Sequence, residues 1–75
     1  MQKGIYQHYK GGVYRVLGVA RHSETKEELV VYSDVNKVDK IWVRSLEMFN
    51  EYVELNGVKT PRFKLIAEYD NQIKN

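Results

Sequence analysis

Turn-forming residues interrupt this sequence so often that only short elements of secondary structure can form between them. Gly11-Gly12 and Asn56-Gly57 are pairs that favour tight hairpin turns, and polar stretches at 22–28 and 33–40 separate further apolar segments. The apolar segments are short and rich in valine, isoleucine and aromatic residues, which is typical of strands. We therefore predict an all-β fold, a small SH3-like barrel of about five or six short strands with one short helical turn.

The predicted strands follow the apolar segments, and Phe63–Ala67 is a further segment that would close the sheet. Gly18 is the expected bend in the longest strand, and Ser45 is positioned to cap the helical turn at 45–50. The predicted strands are Ile5–Tyr9, Val13–Arg21, Glu28–Tyr32, Ile41–Val43, Tyr52–Leu55 and Val58–Thr60. The predicted core comprises Val16, Leu17, Val19, Leu29, Val31, Ile41, Val43, Leu46, Phe49, Val53 and Phe63.

A chain of 75 residues with 43% apolar residues is too apolar to be disordered and is expected to form one domain, 1–75. The polar end, 68–75, is expected to fray. The absence of cysteine excludes disulfides, zinc ribbons and thiol chemistry. No apolar segment is long enough to span a membrane, and Met1–Gly4 lacks a signal-peptide core, so we expect a cytoplasmic protein that does not bind membranes.

Several stretches together resemble a bacterial family known as domain of unknown function 1653. They are Gly4–Gly11, Gly18–Thr25, Leu29–Tyr32, Trp42–Arg44 with Leu46–Phe49, and Pro61–Phe63. The resemblance runs from about Gly4 to Ile66 and implies an SH3-like fold. A proline is common in the family where this chain has Ser45, which affects how the helical turn begins. The family name implies no activity, so the resemblance transfers no catalytic role.

Trp42 and Arg44 form the most informative pair of side chains. Residues two apart in a strand share a face, so Trp42 and Arg44 are expected opposite Ile41 and Val43, which we assign to the core. An exposed indole beside a guanidinium can stack a base, a peptide aromatic ring or a cation. The alternative is that loops cover Trp42 and that Arg44 pairs with Glu47 or another carboxylate. The full candidate ligand-binding set is Arg21, His22, Tyr32, Trp42 and Arg44.

Catalytic and metal sites are not predicted. Arg21–Thr25 contains a base, a hydroxyl and a carboxylate, but adjacent His22 and Ser23 point to opposite faces of an extended chain. The simpler interpretation is that these side chains bond the loop's own backbone. His8 and His22 alone do not complete a zinc site, and no phosphate-loop spacing occurs. No cofactor is expected.

Three functions remain open from the sequence. The first is a non-enzymatic module that binds a peptide or protein partner. The second is a nucleic-acid-binding barrel, although a net charge of +2 is small for that role. The third is a small enzyme or an accessory domain of one, which would require titratable groups converging in a pocket.

Overall fold

The computed structural model describes residues 1–68. These residues form seven strands and one helix, so the predicted all-β class is confirmed, with more strands than expected. The frayed end predicted at 68–75 lies outside the described residues except for Glu68, the last residue of β7. The elements are β1 (Gly4–His8), β2 (Val13–Arg21), β3 (Glu28–Asp34), β4 (Lys37–Ser45), α1 (Leu46–Phe49), β5 (Tyr52–Leu55), β6 (Val58–Pro61) and β7 (Phe63–Glu68).

The strands form two sheets. Five strands form an antiparallel sheet in the order β4-β3-β2-β1-β7, and β5 pairs with β6 in a separate hairpin. Within residues 1–68, β4 and β7 are the two edges of the larger sheet and do not pair with each other. The predicted closing strand therefore joins the sheet beside β1, and β4 keeps an open edge.

Local sequence explains the β5–β6 hairpin. Asn56 and Gly57 both have positive φ angles, 52° and 78°. This combination is the signature of a type I′ turn, whose twist matches that of the flanking strands. The turn sets Leu55 opposite Val58, as the sequence predicted.

The connection between β3 and β4 is shorter than predicted. The sequence suggested a polar loop at 33–40, but β3 continues to Asp34 and β4 begins at Lys37. Asp34 Oδ1 accepts a hydrogen bond from the backbone N–H of Asn36 at 2.7 Å, which stabilises the tight turn. An edge strand can pair with its neighbour without an apolar face. The polar residues at the start of β4 were therefore interpreted as a loop, and the predicted strand was too short.

The core lies on one face of the five-stranded sheet, which we call the inner face. The short helix α1 brings Phe49 to this face, and its ring stacks on Phe63 with centroids 4.0 Å apart. Ser45 Oγ caps the helix by accepting a hydrogen bond from the N–H of Met48 at 3.1 Å, as predicted. The buried apolar and aromatic residues are Tyr6, Val16, Val30, Tyr32, Phe49 and Phe63.

Part of the predicted core is wrong. Val16, Phe49 and Phe63 are buried as predicted, Leu46 packs against the core, and Val53 is half-buried in the hairpin. The other predicted core residues are not buried: Leu17 and Val19 are exposed by about 40%, Leu29 and Val31 are half-buried, and Ile41 and Val43 are exposed by 58% and 60%.

For the residues of β3 and β4, the cause is the choice of face. Both faces of Leu29–Tyr32 are apolar, so alternation alone does not show which face is inside. The structure buries Val30 and Tyr32. Register then fixes β4, because Val30 pairs with Arg44 and Tyr32 pairs with Trp42. Ile41 and Val43 consequently lie on the opposite, outer face.

Candidate functional site

A pocket opens on the inner face beside the core. It has a volume of about 170 Å³ and is lined by Tyr14, Tyr32, Trp42 and Arg44. We call it the indole pocket. β2, β3 and β4 supply its walls, since Tyr32 lies between Val16 on β2 and Trp42 on β4 in the sheet register. The pocket is therefore built on paired strands, which hold its side chains in fixed relative positions.

Trp42 and Tyr32 differ sharply in exposure. Tyr32 is only 5% exposed and its ring packs edge-on against Phe49, Phe63 and Tyr14. Trp42 is 51% exposed, so the described loops do not cover it. The pocket thus combines a rigid aromatic floor with an indole that a ligand can reach.

Arg44 is the cation of the indole pocket. Its Nε–H donates a long hydrogen bond to Tyr32 Oη at 3.4 Å, and its guanidinium carbon lies 5.8 Å from the centroid of the Phe63 ring. Within residues 1–68 no carboxylate forms an ion pair with Arg44, so the suggested pairing with Glu47 is absent there. The remaining N–H donors of Arg44 are therefore available to an anionic ligand.

His8 lies among several cations, one of which is the Arg44 of the indole pocket. Burial lowers the pKa of the His8 imidazole, and the charges of Arg44, Arg62 and Lys10 lower this pKa further. His8 Nδ1 accepts a hydrogen bond from the N–H of Lys10 at 3.1 Å, and its ring lies edge-on to Phe63 at 4.9 Å. His8 is thus neutral at pH 7 in a region of positive potential.

Arg62 has a structural role, in which its charge is paired with that of Glu51. Its Nη2 donates to Glu51 Oε1 at 2.8 Å, in the one salt bridge formed among residues 1–68. Its backbone N–H donates to Glu51, and its carbonyl accepts from Tyr9. The Arg62 Nε–H is buried and has no acceptor within the described part of the chain. Arg62 therefore ties the segment around the hairpin to the end of β1.

The structure groups only three of the five candidate residues. Tyr32, Trp42 and Arg44 line the indole pocket, whereas Arg21 and His22 do not. Arg21 is exposed at the end of β2, where it pairs with Glu28. His22 lies in the loop, and its Nδ1 accepts from the N–H groups of Glu24 and Thr25 at 3.1 and 3.3 Å. The imidazole of His22 thus orders its own loop.

Sequence reasoning missed Tyr14 as a pocket residue. Gly11-Gly12 places β1 and β2 in a hairpin, and Tyr14 then lies opposite Tyr6. Tyr14 is also two residues from Val16, so both share the inner face. The hairpin register could have indicated that Tyr14 lies beside Tyr6, but assigning Tyr14 to the pocket also required knowing which face of the sheet is buried.

Other features of the described residues offer less chemistry. A pocket of about 420 Å³ lies between the start of β3 and α1 and is lined by Glu27, Glu28, Leu46, Glu47 and Asn50. No three metal-ligating side chains within residues 1–68 converge on a common point. In the same range, no helix is long and apolar enough to cross a membrane.

The fold and the pocket together define a small antiparallel β protein with an aromatic, cationic cleft on its main sheet. The family model described as "Protein of unknown function (DUF1653)" matches residues 4–65. The chain therefore belongs to this family, as the sequence resemblance indicated.

A solved structure supports the assignment. The chain is similar to a crystal structure of a DUF1653 protein from Bordetella bronchiseptica, with 34% sequence identity and a TM-score of 0.82. The similarity covers 96% of this chain and 95% of the other. A search among curated proteins finds no match.

Proposed function

We propose that this protein is a non-enzymatic module that binds a peptide or protein partner through the indole pocket. The observation that carries the proposal is the half-exposed indole of Trp42 beside the guanidinium of Arg44. Trp42 is the cross-strand neighbour of the buried Tyr32, and Arg44 donates to Tyr32 Oη, so a ligand would meet both side chains on a preformed part of the sheet. Ordering costs at such a site are small, because the strands and the aromatic cluster fix the geometry before binding.

The energetics of the pocket favour a mixed apolar and anionic ligand. Covering the exposed half of an indole removes roughly 100 Å² from water, worth about 2–3 kcal/mol. A carboxylate on the free N–H groups of Arg44 would add a charge-assisted hydrogen bond. The pocket residues are two tyrosines, a tryptophan and an arginine, a set suited to recognition more than to proton transfer or nucleophilic attack.

The charge distribution favours a peptide over a nucleic acid. The whole chain has a net charge of only +2, and Arg62 is already paired with Glu51. Glu47 follows Arg44 by three residues and lines an acidic pocket with Glu27 and Glu28. A polyphosphate backbone passing this end of β4 would meet repulsive charge, whereas a peptide can present a single carboxylate.

The test is selection of binding peptides from a random library. Peptides enriched by the parent protein should lose binding to the double variant Trp42→Ala with Arg44→Ala, after circular dichroism has shown that the variant folds. The matched control is Tyr52→Ala with Lys59→Ala, which removes another neighbouring aromatic and cation, 4.9 Å apart on the hairpin. Equal binding to the parent and the pocket variant would overturn the proposal.

The nucleic-acid alternative predicts a different salt response. Binding through phosphates weakens steeply between about 50 and about 200 mM salt, whereas binding dominated by an apolar contact changes little. A single-stranded oligothymidylate is the appropriate probe, with Trp42 fluorescence as the signal, since the chain has one tryptophan. Tight, strongly salt-dependent binding of this oligonucleotide would replace the peptide proposal.

A further inference from the structure

The open edge of β4 lies directly beside the indole pocket. β4 is a nine-residue strand at one edge of the five-stranded sheet, with only β3 paired to it within residues 1–68. An edge strand presents unpaired backbone N–H and C=O groups along its free side. Trp42 and Arg44 belong to this strand, so a ligand in the pocket is adjacent to these backbone groups.

The two faces of β4 differ in chemistry. The inner face carries Trp42 and Arg44, and the outer face carries Ile41 and Val43, which are exposed by 58% and 60%. Val43 lies beside Val31 of β3, so the outer face is apolar for two strands in width at that position, whereas Ile41 lies beside Ser33. A partner strand would meet an aromatic and cationic surface on one face and an aliphatic surface on the other.

We infer that the partner binds as an extended segment that adds a strand to the edge of β4. This inference rests on the proposed function of the indole pocket and specifies the ligand class. The segment has acidic side chains on the inner face, near Arg44, and aliphatic side chains on the outer face, near Ile41 and Val43. Backbone hydrogen bonds provide affinity in this mode, and alternating side chains provide specificity.

Charge complementarity selects an acidic segment over a second copy of this chain. β4 contains Lys37, Lys40 and Arg44 against one acidic residue, Asp39. Two copies paired along β4 would bring two cationic strands together, and lysines on edge strands are a known device against such pairing. An acidic segment instead neutralises the excess positive charge of the edge.

The sheet register limits the length of the added strand. The pairing of β3 with β4 is irregular between Ser33 and Asp34, so the regular part of β4 runs from Ile41 to Ser45. A segment of about five residues, an ordinary strand length, would cover this part. Opposed side chains on paired strands lie about 4.5–5.5 Å apart at Cβ, so a glutamate carboxylate can reach the Arg44 guanidinium.

The probe is a capped peptide of alternating valine and glutamate, and binding is followed by Trp42 fluorescence and by amide chemical shifts of β4. Two N-methylated versions separate the binding modes, one methylated at the valines and one at the glutamates. Alternate N–H groups of a strand point to opposite sides, so only one version should lose affinity, by about tenfold or more. Loss in neither version would overturn strand addition.

Charge dependence is tested on both partners. Arg44→Gln in the protein should weaken binding by about tenfold, and so should replacing glutamate by glutamine in the peptide. The two changes together should weaken binding by less than the product of the two separate factors, because both remove the same contact. If Arg44→Gln matters but neither methylation does, the pocket stands and strand addition fails. If Arg44→Gln has no effect, the proposed function fails as well.

Three further outcomes would overturn the inference. The first is no detectable binding of the valine–glutamate peptide, and the second is equal binding of a valine–lysine peptide. The third is a dimer in sedimentation experiments whose interface, mapped by amide shifts, is β4. A monomer that binds the acidic peptide at β4 is the expected result.

Discussion

Aromatic side chains carry much of the packing in this small protein. Phe49 and Phe63 stack, and Tyr6, Tyr14 and Tyr32 meet one or both of these rings edge-on at 5.3–6.0 Å. Edge-to-face contacts are favourable because the positive edge of one ring meets the negative face of another. A few large rings thus fill a core that would need a larger number of residues if they were aliphatic.

Truncation of Phe49 tests this packing. Phe49 is 1% exposed, so Phe49→Ala should lower the free energy of unfolding by about 3–5 kcal/mol. Domains of this size have roughly that much stability in total, so the variant should be largely unfolded at room temperature by circular dichroism. Met48→Ala, which truncates an exposed neighbour in α1, is the control and should change stability little. A thermal transition of Phe49→Ala close to the parent's would contradict the role assigned to this ring.

The protonation of His8 should make stability depend on pH. Burial and the nearby cations lower the pKa of His8 in the folded state below its ordinary value of about 6.5. The unfolded state therefore binds a proton more readily, and stability is lost as pH falls below about 6.5 towards the folded pKa. The urea midpoint of the parent should fall relative to that of His8→Gln as pH decreases through this window. A constant difference between the two proteins would show that His8 titrates normally.

At the scale of elements, close approach between strands decides where β1 can sit. A Cβ placed on Gly4 would lie 2.5 Å from the backbone oxygen of Ala67 and 2.8 Å from a methyl carbon of Leu65. No side chain fits there unless β1 and β7 move apart. Gly4 therefore permits the contact that adds the last strand to the sheet.

Alanine at Gly4 should disturb this strand pair. We expect Gly4→Ala to lower the free energy of unfolding by about 1–3 kcal/mol, the usual cost of overpacking. Gly18→Ala is the matched control, because a Cβ there has no atom within 4 Å, and it should be neutral or stabilising by up to about 1 kcal/mol. Urea unfolding measures both variants. Equal stability of the two variants would show that β7 moves to accommodate the added Cβ without a measurable loss of stability.

The same elements show what the sequence could predict. Hairpin turns, the cap at Ser45 and the bounds of β2 and β5 follow from local chemistry and are confirmed. The face of β3 and β4 depends on tertiary packing, because Leu29–Tyr32 is apolar on both sides. Alternation along a strand shows which side chains share a face, so placing Trp42 and Arg44 on one face was correct. Alternation does not show which face is buried, so assigning Ile41 to the core was wrong.

At the scale of the whole molecule, the main sheet formed by residues 1–68 is open at β4. The outer face exposes Ile41 and Val43, and the inner face exposes Trp42. Edge strands that expose apolar side chains tend to pair with other chains unless something opposes it. We expect the lysines of β4 to oppose such association, because they would have to lose water for a second copy to pair with the edge.

Removal of these charges should cause self-association. Lys37→Val with Lys40→Val leaves the β4 edge with a more apolar, β-prone sequence and lowers its repulsion of a second copy. Sedimentation equilibrium should show concentration-dependent dimers or larger species for this variant and a monomer for the parent. Lys3→Val with Lys10→Val makes the same charge change at exposed positions outside β4 and should remain monomeric. If both double variants stay monomeric, the lysines do not guard the edge; if both associate, net charge and not the edge position keeps the protein apart.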